Sequence, residues 1–246
     1  MTNFHSTVAA AEKALNITRD RVHVFHPAFS VSMGCAPLPP AEYMARVGSH
    51  SVEQFLFIGD QWAQIINRLM KPNARILDLG CGCGKPARLF LNHGGVEEYV
   101  GIDSDAELVS WCNVNLRPAS SKRLLFTWVE IKGHCGAQEL APDASKAVFP
   151  LEPDNFNFVI AGSLFTHLTA DESANYLRQT RLACSSGAQC LLTLHIEPEK
   201  GEHSGDSVRA DYTIEAFCRL ALDAGWAFPT RMGELCGQEL LLLHAH

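Results

Sequence analysis

The sequence predicts a doubly wound α/β fold, with helices on both faces of a mostly parallel seven-stranded sheet whose last strand is antiparallel. From residue 74 onward, short apolar runs alternate with segments of helical spacing, which is typical of a parallel sheet. A glycine-rich turn joins the first run to a helix start, as in folds that bind ligands at the carboxyl ends of their strands. The last helix leads into two closing runs with no helix between them, so we expect an antiparallel pair there.

The seven predicted strands are short runs rich in apolar residues, and helical spacing predicts four helices between them. Residues 131–155 show no clear helix, and we expect a long loop there. The strands are predicted at residues 75–79, 99–102, 124–130, 156–161, 188–196, 226–232 and 239–244, and the helices near 86–92, 106–115, 170–184 and 214–224.

Several helix ends carry residues that suit them. Pro86 fits the first turn of a helix, where its missing N–H is not needed. Thr169 and Glu172 have the spacing of a capping box. Gly225 stands where the end of a helix favours a positive φ.

The chain is predicted to consist of an N-terminal helical extension or lid, residues 1–73, and one compact domain, residues 74–246. Within the extension we expect a short helix around residues 8–15 and a longer one at 52–70, where apolar residues repeat at helical spacing. The segment between them is irregular and rich in proline.

The composition of the 246 residues is ordinary for a soluble globular protein, with 47% hydrophobic and 19% charged residues. A net charge of −7 argues against a nucleic-acid partner, which needs clustered Lys and Arg. The nine cysteines are scattered in apolar stretches, as reduced core thiols are. We expect a cytoplasmic protein without membrane association, because no secretory signal and no membrane-length apolar run is evident.

The stretch from Asp78 to Gly84, Asp-Leu-Gly-Cys-Gly-Cys-Gly, places three alternate glycines between a buried strand and a helix start. Glycines let the backbone turn sharply and press against a ligand. The helix N-terminus offers free N–H groups to an anionic group. Nineteen residues after Gly84, the second strand ends at Asp103, whose carboxylate is placed to accept hydrogen bonds from a ribose diol.

Other interpretations of this loop are weaker. A dinucleotide fingerprint needs G-x-G-x-x-G, but counting from Gly80 the third glycine position holds Lys85. Cys81 and Cys83 lack a second ligand pair at a suitable spacing, so no metal is predicted. The remaining alternative is that the glycines serve only tight packing of the strand and helix.

The spacing D-x-G-x-G-x-G over residues 78–84 resembles motif I of the class I S-adenosylmethionine-dependent methyltransferases. Residues 100–103, Val-Gly-Ile-Asp, resemble their motif II, and the resemblance follows the strand order over residues 74–246. It extends weakly upstream, to residues 39–48 and 55–59. The resemblance implies a Rossmann-like fold, S-adenosyl-L-methionine as cofactor and S-adenosyl-L-homocysteine as product.

Carried over residue by residue, the resemblance also implies roles in cofactor binding. Asp78 would organise the loop near the methionine amino group, Asp103 would hold the ribose hydroxyls, and Ser104 would lie beside the adenine. An acid near the end of the third strand would approach the adenine amine; Glu130 is the first choice and Asp143 the alternative. The predicted cofactor-binding residues are Asp78, Gly80, Cys81, Gly82, Gly84, Asp103, Ser104, Glu130, Ala161 and Ser163.

The end of the fourth strand, residues 161–164, reads Ala-Gly-Ser-Leu. It lacks both the Asn/Asp-Pro-Pro-aromatic motif of nucleic-acid amino-methyltransferases and the carboxylate of metal-dependent catechol-type enzymes. His167 is therefore the first candidate for a general base, although it could simply pack and hydrogen-bond, and His195 is the second candidate. His23 and His26 fall in the expected lid. A base is not obligatory, since alignment in a dry pocket can supply much of the acceleration.

The walls of the acceptor pocket are expected from residues 43–47, Phe165 and the polar loop 197–207, which could form a mobile cover. The leading hypothesis is methyl transfer to an oxygen or nitrogen of a small metabolite or natural-product intermediate. The alternatives are transfer to a protein side chain and a cofactor-binding protein without turnover. The identity of the acceptor, the need for a base and the oligomeric state stay open.

Overall fold

A single mixed sheet forms the centre of the computed structural model. The structure describes residues 36–91, 93–116, 123–132, 141–197, 202–205 and 209–246. The expected helix at residues 8–15, and with it His23 and His26, lies outside the described residues.

The central strands follow the order β3-β2-β1-β4-β5 and pair in parallel. Strand β9 pairs antiparallel with β5 and with β8, which confirms the antiparallel ending. The strands in the described residues are β1 (Ala74–Leu79), β2 (Val96–Asp103), β3 (Arg123–Trp128), β4 (Phe156–Ala161), β5 (Cys184–Ile196), β6 (His203–Gly205), β7 (Ala210–Tyr212), β8 (Thr230–Leu235) and β9 (Gln238–His244).

The predicted fold class is confirmed, but the number of strands is corrected from seven to nine among the described residues. The seven predicted strands correspond to β1–β5, β8 and β9. The additional hairpin of β6 and β7 continues the sheet at the end of β5, partly within the predicted loop 197–207. Strands of three residues are too short to show an alternating pattern, so β6 and β7 could not be predicted.

Strand β8 starts later than predicted, at Thr230 instead of residue 226. Trp226 makes only an isolated bridge to Ala245. Pro229 lies between the bridge and the strand and has no N–H to donate to a ladder, which accounts for the gap.

The helix ends are capped largely as predicted. Thr169 and Glu172 form the complete capping box, and Gly225 adopts a φ of +87°. The described part of the chain contains no helix long and apolar enough to cross a membrane. The helices are α1 (Ala41–Arg46), α2 (Val52–Leu69), α3 (Ala87–Phe90), α4 (Ala106–Asn115), α5 (Ala170–Ala183) and α6 (Ile214–Asp223), with 3₁₀ turns at Ala144–Lys146 and Phe165–His167.

Helices cover both faces of the sheet because successive strand residues point to opposite faces. Leu77 and Val159 belong to a core shared with α5 and α6. Their neighbours Ile76 and Phe158 belong to a second core, to which α2 contributes Trp62. Helix α2 therefore packs directly on the sheet, close to the carboxyl ends of the strands.

Candidate functional site

A cavity of about 690 Å³ lies at the carboxyl ends of the parallel strands. Residues at or just after the ends of β1, β2, β4 and β5 line it, among them Gly80, Asp103, Gly162 and His195. Ligands of doubly wound sheets bind at this edge, and the volume is that of a pocket for a cofactor or small molecule.

The glycine loop forms one side of this cavity. Its glycines all have positive φ, +69° at Gly80, +51° at Gly82 and +72° at Gly84. The N–H groups of Gly80 and Cys81 both donate to the carbonyl oxygen of Ile102, at 2.9 and 3.1 Å. These bonds fix the loop to the end of β2, next to Asp103.

Asp103 is held by backbone groups on both of its oxygens. Its Oδ2 accepts the N–H of Gly82 at 2.7 Å, and its Oδ1 accepts the N–H of Asp105 at 2.9 Å. This carboxylate lines the cavity, and carboxylate oxygens accept hydrogen bonds from hydroxyl groups. The arrangement fits a ribose.

Asp78 is a buried carboxyl group that also lines the cavity. Burial raises its pKa to about 7; the nearby charge of Asp103 raises the pKa further, while a hydrogen bond from Tyr99 opposes the rise. The Tyr99 hydroxyl donates that bond to Oδ2 at 2.6 Å. A positively charged ligand group beside Asp78 would relieve the burial of its charge, which fits the ammonium of a methionine moiety.

Helix α1 and the turn after it, residues 41–49, lie across the glycine loop; we call this segment the strap. The side chain of Val47 occupies the space that a Cβ at Gly82 would need, 2.5 Å from Cγ1. Lys85 Nζ donates to the carbonyl of Val47 at 2.8 Å. Arg46 forms ion pairs with Asp105 and with Glu107, the latter at 2.6 Å.

The structure brings most of the predicted cofactor-binding residues to one cavity. Glu130 is absent from the lining although Val129 and Ile131 belong to it, and Asp143 is absent although Ala144 belongs to it. Gly84 and Ala161 also lie outside the lining. The predicted residues that line the cavity are Asp78, Gly80, Cys81, Gly82, Asp103, Ser104 and Ser163.

Ser163 has an unusual backbone conformation, with a φ of +57°. Its N–H donates to Thr193 Oγ1 at 2.8 Å, and its hydroxyl donates to Gln238 Oε1 at 3.0 Å. Its carbonyl accepts the hydroxyl of Thr166 at 2.6 Å. Non-glycine residues in the left-handed region are uncommon and concentrate at functional sites.

Both candidate bases line the cavity, His167 in a 3₁₀ turn after β4 and His195 at the end of β5. Burial lowers the pKa of His195, and the charges of Arg209 and His167 lower it further, whereas Asp211 and Glu197 oppose them. The imidazole of His195 is therefore mainly neutral near pH 7 and able to accept a proton.

Of the expected pocket walls, Arg46 and Val47 line the cavity, whereas Phe165 is buried and does not. Sequence reasoning missed the residues that complete the lining from α2 and from the turn between β8 and β9. The one usable signal is the pair Cys236-Gly237 between two apolar runs, which suits a tight hairpin turn; both residues have positive φ. The missed residues include Gln54, Ile58, Trp62, Leu235, Cys236 and Gln238.

The cysteines of the glycine loop are packing residues in this structure. Burial raises the pKa of Cys83 to about 12, and that of Cys81 well above its usual range. Cys81 packs against Gly101, where an added Cβ would stand 2.8 Å from its sulfur. Within the residues described, no group of three or more His, Cys, Asp or Glu side chains could hold a metal ion.

A family model described as a methyltransferase domain matches residues 54–227. A SAM-dependent methyltransferase from Aquifex aeolicus has a TM-score of 0.56 and 14% identity, over 84% of this chain and 98% of that one. An S-adenosylmethionine-dependent methyltransferase from Mesorhizobium loti has a TM-score of 0.55 and 14% identity, over 75% of this chain and 97% of that one. A chain in a Haloferax volcanii complex of the Trm112 methyltransferase activator with a methyltransferase has a TM-score of 0.58 and 15% identity, over 83% of this chain and 94% of that one. At these identities the structural likeness shows the fold.

Proposed function

The chain belongs to the methyltransferase domain family, and on that basis we propose that it transfers a methyl group to an oxygen or nitrogen of a small metabolite or natural-product intermediate. It is an S-adenosylmethionine-dependent methyltransferase, and S-adenosylmethionine is its cofactor. The observation that carries the proposal is one cavity with a glycine loop and Asp103 at one end and a polar pocket at the other.

The end of the cavity that holds Asp103, which we call the cofactor end, would offer partners for the ribose, the ammonium group and the adenine of S-adenosylmethionine. Asp103 would hold the ribose hydroxyls and Asp78 the ammonium group, while Ser104, Val129 and Ile131 would surround the adenine. Glu130 stays a proposed contact of the adenine amine. When bound, the cofactor supplies a methyl group on a positively charged sulfur.

The chain's own contribution to the chemistry is to align the acceptor and to exclude water. Ile58, Trp62, Leu164 and Leu235 give the cavity apolar walls. His195 lines the cavity, and its lowered pKa keeps the imidazole neutral near pH 7, so it could accept the proton of an acceptor hydroxyl or amine. The dimensions of the cavity support a small acceptor.

Calorimetric titration with S-adenosylhomocysteine tests the proposal. We expect saturable binding that Asp103→Ala weakens by at least about tenfold, because hydrogen bonds to a charged group are lost. Asp223→Ala, which removes an exposed carboxylate of α6, is the control and should bind like the wild type. NAD should give no heat of binding. A wild-type protein that does not bind S-adenosylhomocysteine would overturn the proposal.

Turnover is tested separately, as formation of S-adenosylhomocysteine from S-adenosylmethionine with a panel of small hydroxyl and amine compounds. A cofactor-binding protein that methylates none of them, nor a protein side chain, would be the alternative without turnover.

A further inference from the structure

Three side chains from separate elements meet at the end of the cavity away from Asp103. Ser163 follows β4, Thr193 lies on β5 and Gln238 begins β9. Two hydrogen bonds, from the Ser163 N–H to Thr193 and from the Ser163 hydroxyl to Gln238, join these neighbouring elements of the sheet. We call these three residues the clamp.

The backbone at Ser163 indicates that its hydroxyl has a use. Glycine would adopt the φ of +57° without strain, whereas serine adopts it at an energetic cost. The preceding Gly162 packs against Trp62, with only 3.0 Å between a hypothetical Cβ and the indole ring, so the turn is held in place. The strained turn holds the Ser163 hydroxyl in a fixed position at the cavity.

The clamp retains hydrogen-bonding capacity after its internal bonds are counted. Because Ser163 donates to the carbonyl of Gln238, the Gln238 amide N–H groups and the Ser163 lone pairs stay available. Thr193 is only 1% exposed and accepts from Ser163, but among the described residues nothing accepts its own hydroxyl hydrogen. A buried donor without an acceptor is costly, and an oxygen-bearing ligand in the cavity would satisfy it.

The charges around the cavity argue against a cationic ligand at the clamp. The carboxylates that line the cavity are Asp78, Asp103 and Asp105 at the cofactor end, and Glu172, whose Oε2 caps α5. The clamp itself carries neutral donors and acceptors, and the imidazole of His195 beside it on β5 is mainly neutral. A protonated amine at the clamp would find no carboxylate among these three side chains, whereas a neutral hydroxyl would find both donors and acceptors.

We propose that Ser163, Thr193 and Gln238 bind the methyl acceptor and that this acceptor is an uncharged alcohol or phenol, methylated on its hydroxyl oxygen. The inference rests on the proposed function and narrows it from oxygen or nitrogen to oxygen.

The proton of the acceptor hydroxyl goes to His195, which lies two residues after Thr193 and therefore on the same face of β5. The acceptor oxygen forms its bond to the methyl carbon while the carbon–sulfur bond breaks and its electron pair returns to sulfur. The sulfonium becomes a neutral thioether, the acceptor becomes a methyl ether, and the imidazolium of His195 releases its proton to water.

Binding to the S-adenosylhomocysteine complex tests the inference without turnover. Matched probes, beginning with benzyl alcohol and the protonated benzylamine, are titrated and followed by NMR. We expect alcohols and phenols to bind and their amine counterparts to bind at least fivefold more weakly. Gln238→Leu should weaken the alcohols at least fivefold, whereas Gln189→Leu, which changes a glutamine of β5 outside the cavity, should not.

Ser163→Gly separates binding from folding. Relief of the left-handed strain offsets loss of the hydrogen bond to Gln238, so the melting temperature should stay close to that of the wild type, while alcohol binding should fall because the hydroxyl is gone. Unchanged alcohol binding in Ser163→Gly and Gln238→Leu, equal or tighter amine binding, or no alcohol bound at all would overturn the inference while S-adenosylhomocysteine still binds. Loss of S-adenosylhomocysteine binding by the wild type would instead remove the proposed function and the inference with it.

Discussion

At the cofactor end of the cavity, backbone N–H groups make most of the hydrogen bonds between elements. At the end that holds the clamp, which we call the acceptor end, side chains take part in the hydrogen bonds between elements. The N–H groups of Gly80, Cys81 and Gly82 tie the glycine loop to the end of β2 and to Asp103. The contact of Ser163 with Gln238 is instead made between side chains 75 residues apart in the chain. The first arrangement needs only the right backbone turn, and the second needs particular side chains on a finished sheet.

This difference has consequences for how each end tolerates change. Substitutions at the cofactor end act through backbone conformation and a few carboxylates, so they should affect folding and cofactor binding together. Substitutions at the acceptor end remove single hydrogen-bonding groups from a sheet that is already formed. We expect them to alter which acceptor binds and to leave cofactor affinity almost unchanged.

Gly82→Ala should have the largest combined effect on stability and cofactor binding at a fixed pH, and it tests the cofactor end directly. The left-handed φ of +51° costs an alanine roughly 1–2 kcal/mol, and its Cβ would stand 2.5 Å from Val47 Cγ1. We expect the free energy of unfolding to fall by about 2 kcal/mol or more in chemical denaturation. The affinity for S-adenosylhomocysteine should fall at least about tenfold in calorimetry, since Gly82 also holds Asp103.

Two further variants separate the two causes of the lower stability of Gly82→Ala, which are backbone strain and the close contact with Val47. Gly187→Ala on β5 has a similar φ of +72° but no atom within 4 Å of the new Cβ, so it carries backbone strain alone. Val47→Ala combined with Gly82→Ala should recover the steric part and not the strain. If Gly82→Ala is as mild as Gly187→Ala, the packing of the strap on the loop contributes little.

The buried carboxyl of Asp78 should make both stability and binding depend on pH. Its pKa is raised from 3.8 to about 7 in the folded protein, so the folded state prefers the protonated form. The stabilisation is complete below about pH 4 and is lost as the pH rises toward 7, by at most about 1.4 kcal/mol per unit. Between pH 5 and pH 8 the free energy of unfolding should therefore fall in the wild type, and Asp78→Asn should lack the part of this fall that Asp78 causes.

Binding should show the opposite trend if Asp78 pairs with the ammonium of the cofactor. The ionised carboxylate then binds better, so the affinity for S-adenosylhomocysteine should rise with pH, at most about tenfold per unit, and level off above pH 7. Asp78→Asn should remove the dependence, and Asp223→Asn on the exposed side of α6 should preserve it. A flat profile in the wild type would contradict the pairing of Asp78 with the ammonium.

The same contrast explains how much could be predicted from the sequence. The strands β1 and β2, the glycine loop and Asp103 are short segments with fixed spacing, so local pattern was enough to place them at one cavity. The clamp was not predictable as a unit, because Gln238 reaches Ser163 only after β9 has paired with β5. The contact of Val47 with Gly82 depends likewise on the way α1 and α2 dock.

Arg46→Ala should have the smallest effect and tests whether the strap controls access to the cofactor end. The side chains of Arg46 and its partners Asp105 and Glu107 are partly exposed, and exposed ion pairs contribute about 0–1 kcal/mol. We therefore expect stability to change little, while dissociation of S-adenosylhomocysteine in stopped-flow measurements becomes a few times faster. High salt should reduce the difference between variant and wild type.

Arg231→Ala breaks an ion pair with Glu239 outside the cavity and serves as the control. Equal dissociation rates for wild type and Arg46→Ala at low salt would mean that packing by Val47, and not charge, holds the strap on the loop.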